Sequence, residues 1–170
     1  IKKKTFSRAI DIGVGSGCIS VTLALEIPNI YIDGIDKSVL ALDNAADNIN
    51  LYNCQNQIKL HNFDILNSIP KDKYDVIISN PPYIPLQDIN TLEHSVKHYD
   101  PLDALTDHSD GMIFYRRIFE ISNHLLNKNG LIVLEFGSTT QKDAIIDIFN
   151  GYKHEIFNDY THHPRVIILQ

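Results

Sequence analysis

The sequence predicts an open α/β fold built on a mostly parallel sheet of seven strands, closed by an antiparallel hairpin. Three observations carry this prediction. Short apolar, β-branched runs alternate with helical patterns along most of the chain. The first strand passes into a helix through a glycine cluster, DIGVGSG (11–17). The chain closes on two strand-like runs with only a turn between them. Repeated strand–helix units bury a parallel sheet between helices, whereas two adjacent strands joined by a turn must run antiparallel.

RAIDIG (8–13) reads as a buried strand, and CISVTLALEI (18–27) as an apolar helix stopped by Pro28. YIDGID (31–36) is the second strand. Ser38 is placed to cap a helix through VLALDNAADNINLY (39–52), where Leu40, Ala41, Asn44, Ala45 and Asn48 have helical spacing. IKLHNFD (58–64) and YDVIISN (74–80) are the third and fourth strands. Residues 81–110 lack periodicity and carry Pro85 and Pro101 as breakers. Ile113, Phe114, Ile118, Ile121 and Leu125 then mark one face of a helix. NKNG (127–130) is a turn into the fifth strand, LIVLEFG (131–137), and TTQKDAIIDIFN (139–150) is a helix. YKHEIFND and RVIILQ, separated by YTHHP, form the terminal hairpin.

The 170 residues, 44% hydrophobic and 21% charged, fit one globular domain. A net charge of −6 argues against a domain that grips nucleic acid by itself, because phosphate binding relies on clustered Lys and Arg. The one basic run, Lys2, Lys3 and Lys4, reads as a solvated end. Cys18 and Cys54 both fall in helical segments and form no CxxC pair, so a reduced, cytoplasmic protein is expected. No apolar run approaches the roughly 20 residues that span a membrane, and no signal peptide is visible. The sequence opens at Ile1, a few residues before its first strand, which suggests a domain excised from a longer chain.

Two corners carry chemistry. Gly13, Gly15 and Gly17 let the backbone turn sharply and let a ligand approach the main chain beside a helix N-terminus. The spacing is GxGxG, not the GxGxxG of dinucleotide binders. Asp36, ending the second strand, can accept both hydrogen bonds from a ribose diol, and Asp64, ending the third, can reach an adenine amino group or serve as a solvated loop acid. The second corner is NPPY (80–83). Pro81 and Pro82 fix φ, lack N–H groups and hold the preceding residues extended. The corner presents two acceptors, the Asn80 side-chain oxygen and the Pro81 carbonyl, with the Tyr83 ring beside them. That suits a planar NH2 group, with an acceptor for each hydrogen and a ring for its face. Holding both hydrogens while charge grows on nitrogen favours the transition state over the ground state.

DIGVGSG, GIDKS and NPPY together resemble the S-adenosylmethionine-dependent methyltransferases that modify planar amino or amide nitrogens. NPPYIP followed by SVKHYDPLDALTDHSDGMIFYRRI, LIVLEFGSTTQ and NDYTHHPRVIIL is similar to the peptide chain release factor glutamine methyltransferases (PrmC/HemK type), over nearly the whole chain. The resemblance implies a Rossmann-like methyltransferase fold, with residues 1–170 as the catalytic domain. It implies S-adenosyl-L-methionine as cofactor and, as substrate, the side-chain amide of the glutamine in a Gly-Gly-Gln loop of a release factor. Gly13, Val14, Gly15, Ser16 and Gly17 would cradle the cofactor, Asp36 would hold its ribose, and Asp64 with Ile65 would flank its adenine. Asn80, Pro81, Pro82 and Tyr83 would hold the amide, with Asn80 also next to the cofactor. The sequence departs from the family in two places: Asp100 stands where the family has Glu, and the aromatic-rich helical substrate-binding domain that precedes the catalytic domain in that family is absent.

The eight histidines include the adjacent His162 and His163, but neither HExxH nor paired CxxC gives metal spacing, so no metal is expected. Glu135 is either a functional carboxylate or a polar end to the fifth strand. HYDP (98–101) is expected to close over the site. Two other functions fit some of the motifs. An adenine or guanine amino methyltransferase shares the NPPY chemistry but calls for a basic face. A non-catalytic nucleotide-binding module uses the glycines but not the acceptor corner.

Overall fold

The computed structural model describes residues 6–91 and 101–170. Seven strands form one sheet: β1 (Arg8–Ile12), β2 (Tyr31–Asp36), β3 (Ile58–Asn62), β4 (Tyr74–Ser79), β5 (Leu126–Glu135), β6 (His154–Asn158) and β7 (Pro164–Leu169). Their order is β3-β2-β1-β4-β5-β7-β6, parallel except that β7 runs antiparallel to both neighbours. The Rossmann-like sheet and its terminal hairpin are as the sequence predicts. The helices are α1 (Cys18–Glu26), α2 (Val39–Leu51), α3 (Leu102–Leu105), α4 (Ile113–Leu125) and α5 (Thr139–Ile148), with a 3₁₀ turn at Leu86–Thr91.

The strands are rich in buried apolar residues because both faces of the sheet are covered. Successive side chains point to opposite faces. Ala9, Val76 and Ile78 pack with Val21 and Ala24 of α1 and Ile49 of α2. Ile10, Ile12 and Ile77 pack with Ile118, Ile121 and Leu125 of α4 and Ile145 of α5. The capping expected at Ser38 is present: its hydroxyl accepts from the Ala41 N–H at 3.2 Å.

Three local expectations give way. Cys54 lies beyond α2, in the turn before β3, where it is buried at 2% exposure; Cys18 begins α1 as expected and is exposed. The NKNG segment does not precede β5 but belongs to it. Tyr74 pairs with Leu126 and Val76 with Leu131, so the intervening residues bulge from the ladder. The aperiodic stretch after NPPY contains the 3₁₀ turn and α3. Asp100 and most of HYDP lie outside the described residues; Pro101 is the N-cap residue of α3.

Candidate active site

The sheet order reverses between β1 and β4, and ligands of open α/β sheets sit beyond the carboxyl ends of the strands at such a point. The register brings the predicted residues to one edge. Ile12 pairs with Ile35 on one side and Ser79 on the other, and Ser79 pairs with Leu134. Asp36, Asn80 and Glu135 therefore each stand one residue beyond that line, around the loop that leaves β1.

Gly13, Gly15 and Gly17 have φ of +74°, +55° and +78°. Their roles differ. A Cβ built on Gly13 meets nothing within 4 Å, and one on Gly15 meets only the Gly13 carbonyl at 3.9 Å, so this part of the loop turns toward open space. A Cβ on Gly17 would lie 3.2 Å from that of Ala45, because this glycine lets α1 approach α2. The Gly13 and Val14 N–H groups both donate to the Ile35 carbonyl, at 2.9 and 3.0 Å. The Val14 side chain is buried, and the Ser16 carbonyl accepts from the Asn48 amide at 2.9 Å.

Asp36 shapes this loop. Its Oδ2 accepts from the Gly15 N–H at 3.0 Å and its Oδ1 from the Ser38 N–H at 2.9 Å. Each carboxylate oxygen retains a lone pair, the complement of a diol that offers two O–H donors. Beneath the loop lies a carboxylate that sequence reasoning missed. Asp11 is 1% exposed, its Oδ2 accepts from the Ser20 hydroxyl at 2.7 Å, and burial pushes its pKa up to about 6. The available signal was a charge inside the apolar strand RAIDI.

Asp64 is spent locally: its Oδ1 accepts from the Leu66 N–H at 2.9 Å and its Oδ2 from the Asn67 amide at 2.6 Å. The Ile65 side chain is buried in the core, and its carbonyl accepts from Arg117 Nε at 2.8 Å. Both stand just beyond β3, on the β1–β2 side of the switch point.

The NPPY corner follows β4, whose last residue is fixed by a Ser79 hydroxyl bond to the Ile12 carbonyl at 2.7 Å. Pro81 is buried and Asn80 is exposed. Among the described residues the Asn80 amide has no partner, while the Ser79 hydroxyl before it and the Tyr83 carbonyl after the prolines are both engaged. Tyr83 differs from a free stacking face. Its ring lies against Gly137, where a Cβ would approach Cε2 to 2.7 Å, and its hydroxyl is 3.4 Å from Glu135 Oε1. Burial and then the Glu135 carboxylate push the Tyr83 hydroxyl pKa up. Burial also raises that of Glu135, against the Tyr83 bond and the Arg165 charge. A groove of about 580 Å³ opens beside Tyr83, with Met112, Gly137, Gln141 and Arg165 in its wall. Across the edge, the exposed Lys37 and His108 both bond Asp103 of α3 at 2.8 Å.

Comparison with known proteins agrees with this layout. Residues 1–98 match the family described as methyltransferase small domain. The chain is 37% identical over 170 residues to a release factor glutamine methyltransferase of Thermodesulfovibrio yellowstonii, covering 98% of this chain and 60% of that protein. It is 35% identical over 167 residues to a bifunctional methyltransferase of Rickettsia felis, covering 96% of this chain and 32% of that one. A methyltransferase structure from Pyrococcus furiosus superposes with a TM-score of 0.71 at 18% identity, over 99% of this chain and 76% of the other. The chain thus spans about a third to three fifths of the length of these two sequence relatives.

Proposed function

The chain belongs to the methyltransferase small domain family, and from that premise we propose that it methylates the side-chain amide nitrogen of the glutamine in the Gly-Gly-Gln motif of a peptide chain release factor. The donor in this reading is S-adenosyl-L-methionine, which supplies a methyl group on a cationic sulfur. Likeness to release factor glutamine methyltransferases supports the substrate. Such a substrate goes with a cytoplasmic enzyme. The observation that carries the chemistry is the Asn80 amide, unpartnered among the described residues, between the bonded Ser79 hydroxyl and Tyr83 carbonyl and one strand away from the glycine loop.

In this reading the Gly13–Gly17 loop and Asp36 hold the nucleoside, with Asp64 and Ile65 near its base. The Asn80 side-chain oxygen and the Pro81 carbonyl take one hydrogen each from the substrate amide. They direct its nitrogen at the methyl carbon and stabilise the positive charge that grows there. When bound, S-adenosyl-L-methionine would give up its methyl group from sulfur to this nitrogen, which would then lose a proton to water. No strong base is required of the protein.

Two variants test this. Asn80→Ala is expected to keep cofactor affinity within a few-fold, measured by calorimetry, while the methyl-transfer rate to release factor falls by about 10²–10³. Asp36→Ala is expected to do the reverse first, weakening cofactor binding by about 1–3 kcal/mol, the scale of a lost charged hydrogen bond. Parent-like turnover in Asn80→Ala would make the corner only a turn.

A further inference from the structure

We propose that Gln141 is the positioning residue of the acceptor corner: its side-chain amide pins the Tyr83 carbonyl to the end of β5 and thereby sets the direction in which Asn80 and Pro81 face. The catalytic consequence rests on the methyl-transfer reading above; the clamp itself does not.

Gln141 lies in the first turn of α5, whose N-cap Ser138 accepts from its N–H at 3.2 Å. Its side chain bridges two elements. Nε2 donates to the Tyr83 carbonyl, and Oε1 accepts from the Gly137 N–H at 2.9 Å. The next N–H along, that of Ile84, donates to the Leu105 carbonyl at 2.9 Å. The peptide unit joining Tyr83 to Ile84 is therefore held at both its oxygen and its hydrogen. Upstream, Ser79 is tied to β1, and between these anchors two proline rings remove two φ rotations. The orientation of Asn80 thus depends on where the Tyr83 carbonyl is fixed.

The surroundings leave little freedom at that point. A Cβ on Gly111 would lie 2.2 Å from the Tyr83 carbonyl oxygen, and one on Gly137 would lie 2.7 Å from the ring. Both glycines are sites of close approach, and Gln141 supplies the polar partner that such crowding demands. An amide is the group suited to it: it offers a donor and an acceptor without charge. A carboxylate would face the Tyr83 carbonyl with a lone pair, and an ammonium would leave the Gly137 N–H unmatched. The Gln141 side chain is spent on the Tyr83 carbonyl and the Gly137 N–H, so a misplacement here acts on the reaction through the corner, where an error of about 1 Å can cost 10²-fold.

The test uses Gln141→Ala and Gln141→Glu in the full chain, with 3-fluorotyrosine labelling and the Tyr83 signal identified by its loss in Tyr83→Phe. Expected for Gln141→Ala are cofactor affinity within twofold of the parent, a methyl-transfer kcat lower by 10- to 100-fold at every pH, and a broadened or split Tyr83 resonance. Gln141→Glu should behave alike at pH 8 but recover toward the parent rate as the pH falls to 5. Its protonated carboxyl again carries one donor and one acceptor. An unchanged Tyr83 resonance in Gln141→Ala overturns the clamp. A Gln141→Glu rate that tracks Gln141→Ala at all pH values overturns the hydrogen-bond bridge. Should the parent transfer no methyl group to a glutamine amide, the functional reading fails, and the fluorine spectrum still decides the clamp.

Discussion

Asp11 shows how a single side chain can work against the fold that contains it. Its carboxyl titrates near pH 6 in the folded chain, because burial disfavours the charge more than the Ser20 bond favours it. An aspartate in the unfolded chain titrates near 3.8, so the folded state holds this proton more tightly than the unfolded state does. The associated stability is fully present below pH 3.8 and is lost as the pH rises through about 6. That difference corresponds to about 3 kcal/mol. Asp11→Asn removes the titration, so its unfolding free energy relative to the parent should improve by about that amount between pH 4 and pH 7 in urea melts. A difference that stays constant with pH would contradict the burial cost. Asp36 and Asn80 could be read as polar ends of strands; Asp11 was missed, although a charge in an apolar strand marked it. Gln141 was not, because its partner Tyr83 is 58 residues away and nothing local signals the pairing.

At the level of elements, the start of β5 is where sequence pattern and structure part. Asn-Lys-Asn-Gly has the composition of a turn, and Asn129 does adopt φ +64°, yet the ladder with β4 continues on both sides of it. A long-range contact overrides local propensity: the Asn127 amide donates to Asp75 Oδ1 at 2.9 Å. Gly130 closes the bulge. A Cβ there would stand 2.7 Å from Leu126 Cδ2 and 3.1 Å from both the Asn127 and Asp75 carbonyl oxygens. Gly130→Ala should therefore destabilise the protein by about 1–3 kcal/mol, the usual cost of overpacking, in denaturant unfolding. Cofactor affinity should stay at the parent value, because the bulge lies at the opposite end of the strands from the glycine loop. A joint loss of stability and affinity would mean that strain travels along the sheet.

Across the whole molecule, the number of strands, the four longer helices and the hairpin could be read from periodicity, which is a local property. The order of the strands could not, since pairing joins residues far apart in sequence. The hairpin does more than close the sheet. Arg165 at the start of β7 donates to the carbonyls of Phe136 and Gly137, at 3.2 and 3.1 Å, and its guanidinium is held by Asp159. Ile167 is fully buried and pairs with Leu134 of β5 and Ile156 of β6. Ile167→Ala should cost about 2–5 kcal/mol and lower the thermal midpoint of the whole domain in one transition. Two separated transitions would show that the hairpin is an independent unit. The position of β7, last in chain order yet second from the sheet's edge, also matters while the protein is being made. A ribosome that has delivered six strands has released β5 with its apolar run LIVLE unpaired along one side, and β6 without a neighbour. Until the seventh strand emerges, that side is a template for any other extended chain nearby. The nascent protein is thus most adhesive in the interval before β7 emerges, and a delay there would expose it to misassembly.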